Sequence, residues 1–190
     1  MRASLFDLPP EGPPGFAFKG ELITPDEEAE LVARLEGLDF QPFQFHGYEG
    51  RRRVFSFGWR YDFGGPGALV AAPPLPDWLL PLRDRAAAFA GLPGEAFAHV
   101  LINEYREGAP IGWHRDRPVF DKVVGVSLKA DAVMRFRRRA GAKFERINTP
   151  LPRRSAYLLD GPARNEWEHS LPEARAHRFS ITFRNLRPTR

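Results

Sequence analysis

Arg178-Phe179-Ser180-Ile181-Thr182-Phe183-Arg184 is the most regular stretch of the chain. Phe179, Ile181 and Phe183 fall on one side and Arg178, Ser180, Thr182 and Arg184 on the other, the period-two mark of a strand. The polar side has two destinations. In water it is an ordinary solvated sheet face, the commoner case for such a strand taken alone. Inside a barrel it needs an anion, because a buried guanidinium without a partner is costly. A dicarboxylate held by the arginine fork would supply one.

Working back from this strand, short strands are expected near 98–105, 111–115, 122–129, 132–138, 143–148, 155–160, 167–171 and 177–186, with Gly and Pro between them. The first half differs. Phe16–Glu21 reads as a short strand. Thr24-Pro25-Asp26-Glu27 then opens a helix with a capping box and Pro at the first position, ending at Gly37. Leu79, Leu82, Ala86 and Phe89 give a second helix over about 77–90, its start blurred by Pro81. Between the helices, Arg53, Phe55, Phe57, Trp59 and Tyr61 alternate as one side of a single strand. Gly64-Gly65-Pro66-Gly67 marks a loop. The pattern is α+β, mainly β: a double-sheet barrel or jelly roll with two N-terminal helices packed outside.

The chain has 190 residues, suited to one domain, with 43% hydrophobic residues. Residues 1–14, rich in Pro and Gly, read as a flexible arm before a single domain over 15–190. No apolar run approaches the roughly 20 residues that span a membrane, and the first residues, without a long apolar core, are not expected to act as a signal peptide. Cysteine is absent, which excludes disulfides, thiolate catalysis and Cys-based metal sites. A cytoplasmic protein is expected, as a monomer. The formal charge is +4, almost all from arginine, with lysine only at 19, 122, 129 and 143. That fits either a composition bias or a polyanionic partner such as nucleic acid.

Trp113-His114-Arg115-Asp116 carries the first chemical signal. Residues i and i+2 of a strand share a face, so His114 and Asp116 can bind one ion together. Two histidines and one carboxylate on one face of non-haem Fe(II) leave the other face open. The second histidine must come from His46, His99, His169 or His177. His169 ranks first, because it sits just before Leu171 in what reads as a buried strand. His99 reads as a core or edge histidine and His177 as a surface residue.

Asn103-Glu104-Tyr105, Gly108, Ile111, His114-Arg115-Asp116, Val126-Ser127-Leu128, Trp167-Glu168-His169 and the closing Arg178–Arg184 strand occur in that order. The set resembles the AlkB family of 2-oxoglutarate/Fe(II)-dependent dioxygenases over about 98–186. Residues 39–63, with Arg52-Arg53-Val54-Phe55-Ser56-Phe57-Gly58-Trp59-Arg60-Tyr61, are similar to its substrate-recognition segment. The resemblance implies a double-stranded β-helix (jelly-roll) core. It implies His114, Asp116 and His169 as iron ligands and Arg178 as partner of the distal carboxylate of 2-oxoglutarate. Arg184 would lie near the cosubstrate's other end, with Asn103 and Tyr105 hydrogen-bonding to it. Fe(II), 2-oxoglutarate and O2 are the implied cofactor and cosubstrates. One departure is Lys129 where family members often carry glycine after Ser-Leu, which points to a changed turn. The hairpin that follows is unusually rich in arginine.

The resemblance further implies oxidative N-demethylation of alkylated DNA or RNA bases, in repair or modification. A base reached from a duplex must be flipped out and stacked. Trp59, Tyr61 and Trp113 are candidate walls for it. Arg51, Arg52 and Arg53, and Arg137, Arg138 and Arg139, are candidate phosphate contacts. The alternatives are the same chemistry on a protein or small-molecule substrate, a cupin-type metal barrel, and a non-catalytic basic β-domain that binds nucleic acid.

Overall fold

The computed structural model describes residues 11–45, 48–61 and 69–188. His46, the loop around Gly64–Gly67 and residues 1–10 of the arm lie outside the described residues, as does the side chain of Tyr61. The described residues form mainly antiparallel β structure. A first strand, β1 (Phe16–Lys19), is followed by helix α1 (Pro25–Glu36) and by β2 (Gln41–Phe45), β3 (Tyr48–Phe57), β4 (Trp59–Tyr61) and β5 (Leu69–Ala71). Helix α2 (Leu80–Phe89) leads into β6 (His99–Tyr105), β7 (Ile111–His114), β8 (Phe120–Leu128), β9 (Ala132–Ala140), β10 (Lys143–Leu151) and β11 (Ala156–Leu159). A short α3 (Gly161–Asn165) precedes β12 (Glu168–Leu171) and β13 (Arg178–Leu186).

The strands sort into a seven-stranded sheet, β1-β11-β8-β13-β6-β3-β2, a four-stranded sheet, β10-β9-β12-β7, and the pair β4-β5. Period-two patterning divides the large sheet cleanly. Phe179, Ile181 and Phe183 of β13, with Val100 and Ile102 of β6 and Val124 and Val126 of β8, enter one hydrophobic cluster with Leu31 and Leu35 of α1 and Leu82 and Ala86 of α2. Both helices therefore cover the same face. The opposite face meets the small sheet through a second cluster that includes Tyr157 and Leu159, Met134 and Phe136, and Trp167 and Leu171.

Local chemistry explains the element ends. Thr24 Oγ1 accepts from the Glu27 N–H at 3.2 Å and Glu27 Oε2 accepts from the Thr24 N–H at 2.8 Å, which completes the capping box. Residues 77–79 form a 3-10 turn rather than the first turn of α2, with Pro81 in the helix's opening turn. Lys129 adopts a positive φ of 73° at the end of β8, so the left-handed turn that favours glycine is kept here rather than changed, as the lysine had led one to expect. Its N–H donates to Glu28 Oε1 at 2.7 Å, which ties the turn to α1.

Two expectations are corrected. The strand expected to run through 53–61 breaks at Gly58, whose φ is +74°. A Cβ there would stand 2.0 Å from the Ala98 carbonyl oxygen, so only glycine fits. Trp59 and Tyr61 thus leave the large sheet and pair with β5 instead. Residues 11–14 of the expected arm are docked: the Thr149 hydroxyl donates to the Glu11 carbonyl at 2.6 Å and the Ala163 N–H to the Pro14 carbonyl at 2.8 Å.

Candidate metal and cosubstrate centre

The polar face of β13 points into a cleft of about 1780 Å³ between the two sheets. Register sets out its floor. Arg178 lies opposite Tyr105, Ser180 opposite Asn103 and Arg184 opposite His99, so these side chains of β6 and β13 share one face. Across from them, β12 pairs antiparallel with β7 and places His169 directly opposite His114.

The two imidazoles stand 4.3 Å apart between ring centroids. Nδ1 of His114 is 2.8 Å from the Gly112 carbonyl oxygen. A carbonyl only accepts, so Nδ1 carries the proton and Nε2 is left as a lone-pair donor, the usual arrangement for a metal-binding histidine. Asp116 sits two residues beyond the end of β7, in the following loop rather than in the strand. Burial would raise its pKa, but Arg184, His169 and His114 outweigh this and hold it well below the usual carboxylate range. Its Oδ1 accepts from Arg184 Nη2 at 3.0 Å. His169 is pushed down to about 3, first by burial and then by the neighbouring His114. Burial likewise lowers His114. Both rings are therefore neutral at pH 7, the ligating form.

Among the described residues no three His, Asp or Glu side chains stand as a finished ligand cage. The donor set still fits a divalent ion: two neutral imidazoles in register and one ionised carboxylate, in a buried cleft. Fe(II) would be held by His114, Asp116 and His169.

Arg178 gives the second test. It is only 2% exposed. Its Nε–H and Nη2–H donate to the Ser127 hydroxyl at 3.2 and 3.0 Å, and its guanidinium lies 5.2 Å from the centre of the Tyr105 ring. Nη1 is buried with no hydrogen-bond partner. Among the described residues no carboxylate pairs with Arg178, and burial depresses its pKa. Nε and Nη1 of Arg184 are also unpartnered. Such orphan donors fit a small anion with more than one carboxylate.

The remaining candidates separate. Trp113 lines the cleft; Trp59 is 38% exposed and does not. The three consecutive arginines divide by strand parity. Arg51 is exposed. Arg53 turns to the opposite face and pairs with Glu104 at 2.5 Å. Arg52 is buried in the cleft wall, 3.7 Å above the Phe43 ring, with Nη1 donating to Asn103 Oδ1 at 2.5 Å. Asn103 is thus held by Arg52, a wall residue that sequence reasoning had sent to phosphate. His99 is buried, with Nδ1 unpartnered and a pKa lowered to about 3 by burial and then by Arg184. Arg164, which the motifs did not flag, fastens α3 to the loop after Asp116 by donating to the carbonyls of Arg117 and Phe120 at 2.5 and 2.8 Å.

Residues 60–184 match the profile of the 2OG-Fe(II) oxygenase superfamily. The chain belongs to that superfamily. Within it this oxygenase is of the AlkB family. The human DNA oxidative demethylase ALKBH2 is 32% identical over 143 residues, covering 68% of this chain and 53% of the relative. The oxygenase thus spans about half the length of that demethylase. An uncharacterised protein of Acanthamoeba polyphaga mimivirus, L905, is 25% identical over 186 residues, covering 90% of this chain and 85% of its own. The solved structure of OsALKBH1 superposes with a TM-score of 0.67 at 16% identity over 92% of this chain and all of that one, which shows the shared fold.

Proposed function

We propose that this oxygenase removes N-linked methyl groups from alkylated nucleic-acid bases, using Fe(II), 2-oxoglutarate and O2. The observation that carries the oxygenase part is the buried Arg178, with Nη1 unpartnered, in the same cleft as His114, Asp116 and His169. The two facing sheets are read as a double-stranded β-helix core with α1 and α2 outside.

Bound iron with 2-oxoglutarate and O2 supplies the oxidation of a C–H bond to C–OH, with succinate and CO2 as co-products. The chain's own groups do the rest. His114, its Nδ1–H fixed on Gly112, presents Nε2, and His169 presents a second nitrogen from the facing strand. Arg178 receives the distal carboxylate of 2-oxoglutarate, with Ser127 fixing the guanidinium plane. Asn103, oriented by Arg52, and Tyr105 complete that wall. Arg184 balances the charge at Asp116. A methyl carbon on nitrogen, once hydroxylated, leaves as formaldehyde when the C–N bond breaks and the proton moves to nitrogen.

Two features support nucleic acid as substrate. The cleft of about 1780 Å³ exceeds the roughly 300–1,000 Å³ usual for small ligands, leaving room for a flipped nucleotide beside the cosubstrate. Arginines outnumber carboxylates nine to four among its lining residues, a polyanion-seeking balance.

The test loads the protein with Fe(II) anaerobically, adds 2-oxoglutarate, O2 and a pool of methylated oligonucleotides, and measures succinate and formaldehyde together. Both should rise, and both should stop in Asp116→Ala. Succinate without formaldehyde would retain the oxygenase and reject the nucleic-acid substrate.

A further inference from the structure

The small sheet presents an outer face for which the catalytic centre has no use. On β9 the odd positions point outward and the even positions Met134 and Phe136 are buried. In register, Arg137 lies opposite Arg146 and Arg139 opposite Phe144. Arg135 continues the row, beside Ser170 of β12. Like charges directly opposite across an antiparallel pair cost stability. Here the only carboxylate among the described residues that pairs with this face is Glu168, which accepts from Arg137 Nε at 2.6 Å. No carboxylate pairs with Arg135, Arg139 or Arg146 among the described residues. Arg138, of opposite parity, is bound instead to Glu145 and Glu166 at 2.9 and 3.0 Å. Arg135 Nε donates to Ser170 Oγ at 3.1 Å and Arg139 Nε to the Gly141 carbonyl at 3.3 Å, both neutral acceptors, so this side of the hairpin keeps an excess of positive charge among the described residues.

Aromatic rings are interleaved with the arginines of this face. The Arg137 guanidinium lies 4.5 Å from the centre of the Trp113 ring and 4.7 Å from that of Phe144. Arg146 lies 5.7 Å from the Phe144 ring. Phe144 is 41% exposed, among the largest apolar exposures on the described surface. Trp113 also lines the cleft and directly precedes His114, so the row runs from the mouth of the cleft outward.

We infer that this face, Trp113-Arg137-Phe144 flanked by Arg135, Arg139 and Arg146, is the track on which the nucleic-acid strand beside the target nucleotide lies, with phosphates on the arginines and an unstacked base on Phe144. Excess positive charge with exposed rings is the composition of a single-strand platform. An acidic protein segment would satisfy the charges but leave no role for the aromatic ladder. The inference rests on the nucleic-acid reading above and extends it from the cleft to the flanking strand.

The test uses the full chain loaded with Fe(II) and 2-oxoglutarate under anaerobic conditions, and compares it with the double variant Phe144→Ser/Arg146→Ser. Both side chains are exposed, and thermal unfolding checks that the fold is kept. Fluorescence anisotropy with a single-stranded 20-mer should show binding weakened about tenfold or more. The slope of log affinity against log salt should shrink by about 0.7, the value for one fewer phosphate neutralised on a single strand. Turnover of a methylated mononucleoside, too short to reach the hairpin, should be unchanged. Unchanged 20-mer affinity and salt slope in a folded variant would overturn the track while leaving demethylation standing. Displacement by polyglutamate but not by oligonucleotide would assign the face to an acidic protein and overturn it. A wild-type protein that neither binds nor demethylates any nucleic acid would remove both readings together.

Discussion

At the scale of single residues, the centre is built from groups whose surroundings work against stability. Arg178 is the clearest case: a charge 2% exposed, with two donors spent on a neutral hydroxyl and a third unpartnered. A buried charge without a counter-charge is destabilising, and apolar replacement commonly recovers stability. Arg178→Met should therefore raise the stability of the protein free of 2-oxoglutarate by about 1 kcal/mol or more. The same variant should lose most of the thermal stabilisation that added 2-oxoglutarate gives, since a ligand stabilises only through its affinity. Thermal unfolding with and without 2-oxoglutarate reads both effects; an Arg178→Met protein less stable alone but equally stabilised by 2-oxoglutarate would place the anion elsewhere. Asp116 and Arg184 form the complementary case, a pair 3.0 Å apart and about a tenth exposed on each side, where each partner's charge is answered.

At the scale of elements, turns decide which side chains meet. Gly58 ends β3 and redirects the chain into β4, and the crowding by the Ala98 carbonyl leaves no room for a Cβ. Gly58→Ala combines an unfavourable positive φ with a backbone clash, so it should cost about 2 kcal/mol or more in urea unfolding. A neutral outcome would mean that the β3–β4 turn can relax freely. The same turn explains why Trp59 leaves the side that Phe55 and Phe57 keep: a period-two pattern read through a glycine ignores the rotation that glycine permits. The boundaries of α1 were legible because its capping box is local chemistry, whereas the start of α2, which no side chain caps, was not. The division of Arg51, Arg52 and Arg53 was legible only as parity, since their partners Gly108, Asn103 and Glu104 lie more than 50 positions away in sequence.

At the scale of the whole molecule, packing two sheets around a charged cleft makes stability depend on pH. His99 is 3% exposed and its pKa is lowered to about 3, by burial and by Arg184 across the strand pair. The unfolded chain protonates it near 6.5. Between those values the unfolded state holds one proton more than the folded state, so stability is complete above about 6.5 and falls as pH drops toward 3. This one group should remove about 1.4 kcal/mol per pH unit across that window. His99→Phe, next to the Phe120 ring 4.7 Å away, should flatten the stability–pH profile by about that slope between pH 6 and 4.5. An unaltered slope in guanidinium unfolding would show that His99 takes up its proton without cost in the native state.

The sequence by itself determined the strand-rich second half, the capped first helix, the superfamily and the chemical types at its centre. Those properties are carried by short-range signals: period two along β13, a capping box, and an ordered set of histidine, carboxylate and arginine side chains. Only the tertiary structure decided that the polar face of β13 turns inward rather than to water. That choice depends on a second sheet closing over it and on Phe179, Ile181 and Phe183 finding α1 and α2 behind them. It likewise decided that His169 meets His114, that Arg52 faces the cleft, and that Arg138 meets Glu145 and Glu166 while Arg146 lies against the Phe144 ring. Each of these depends on register between strands far apart in sequence, which alternation along a single strand cannot specify.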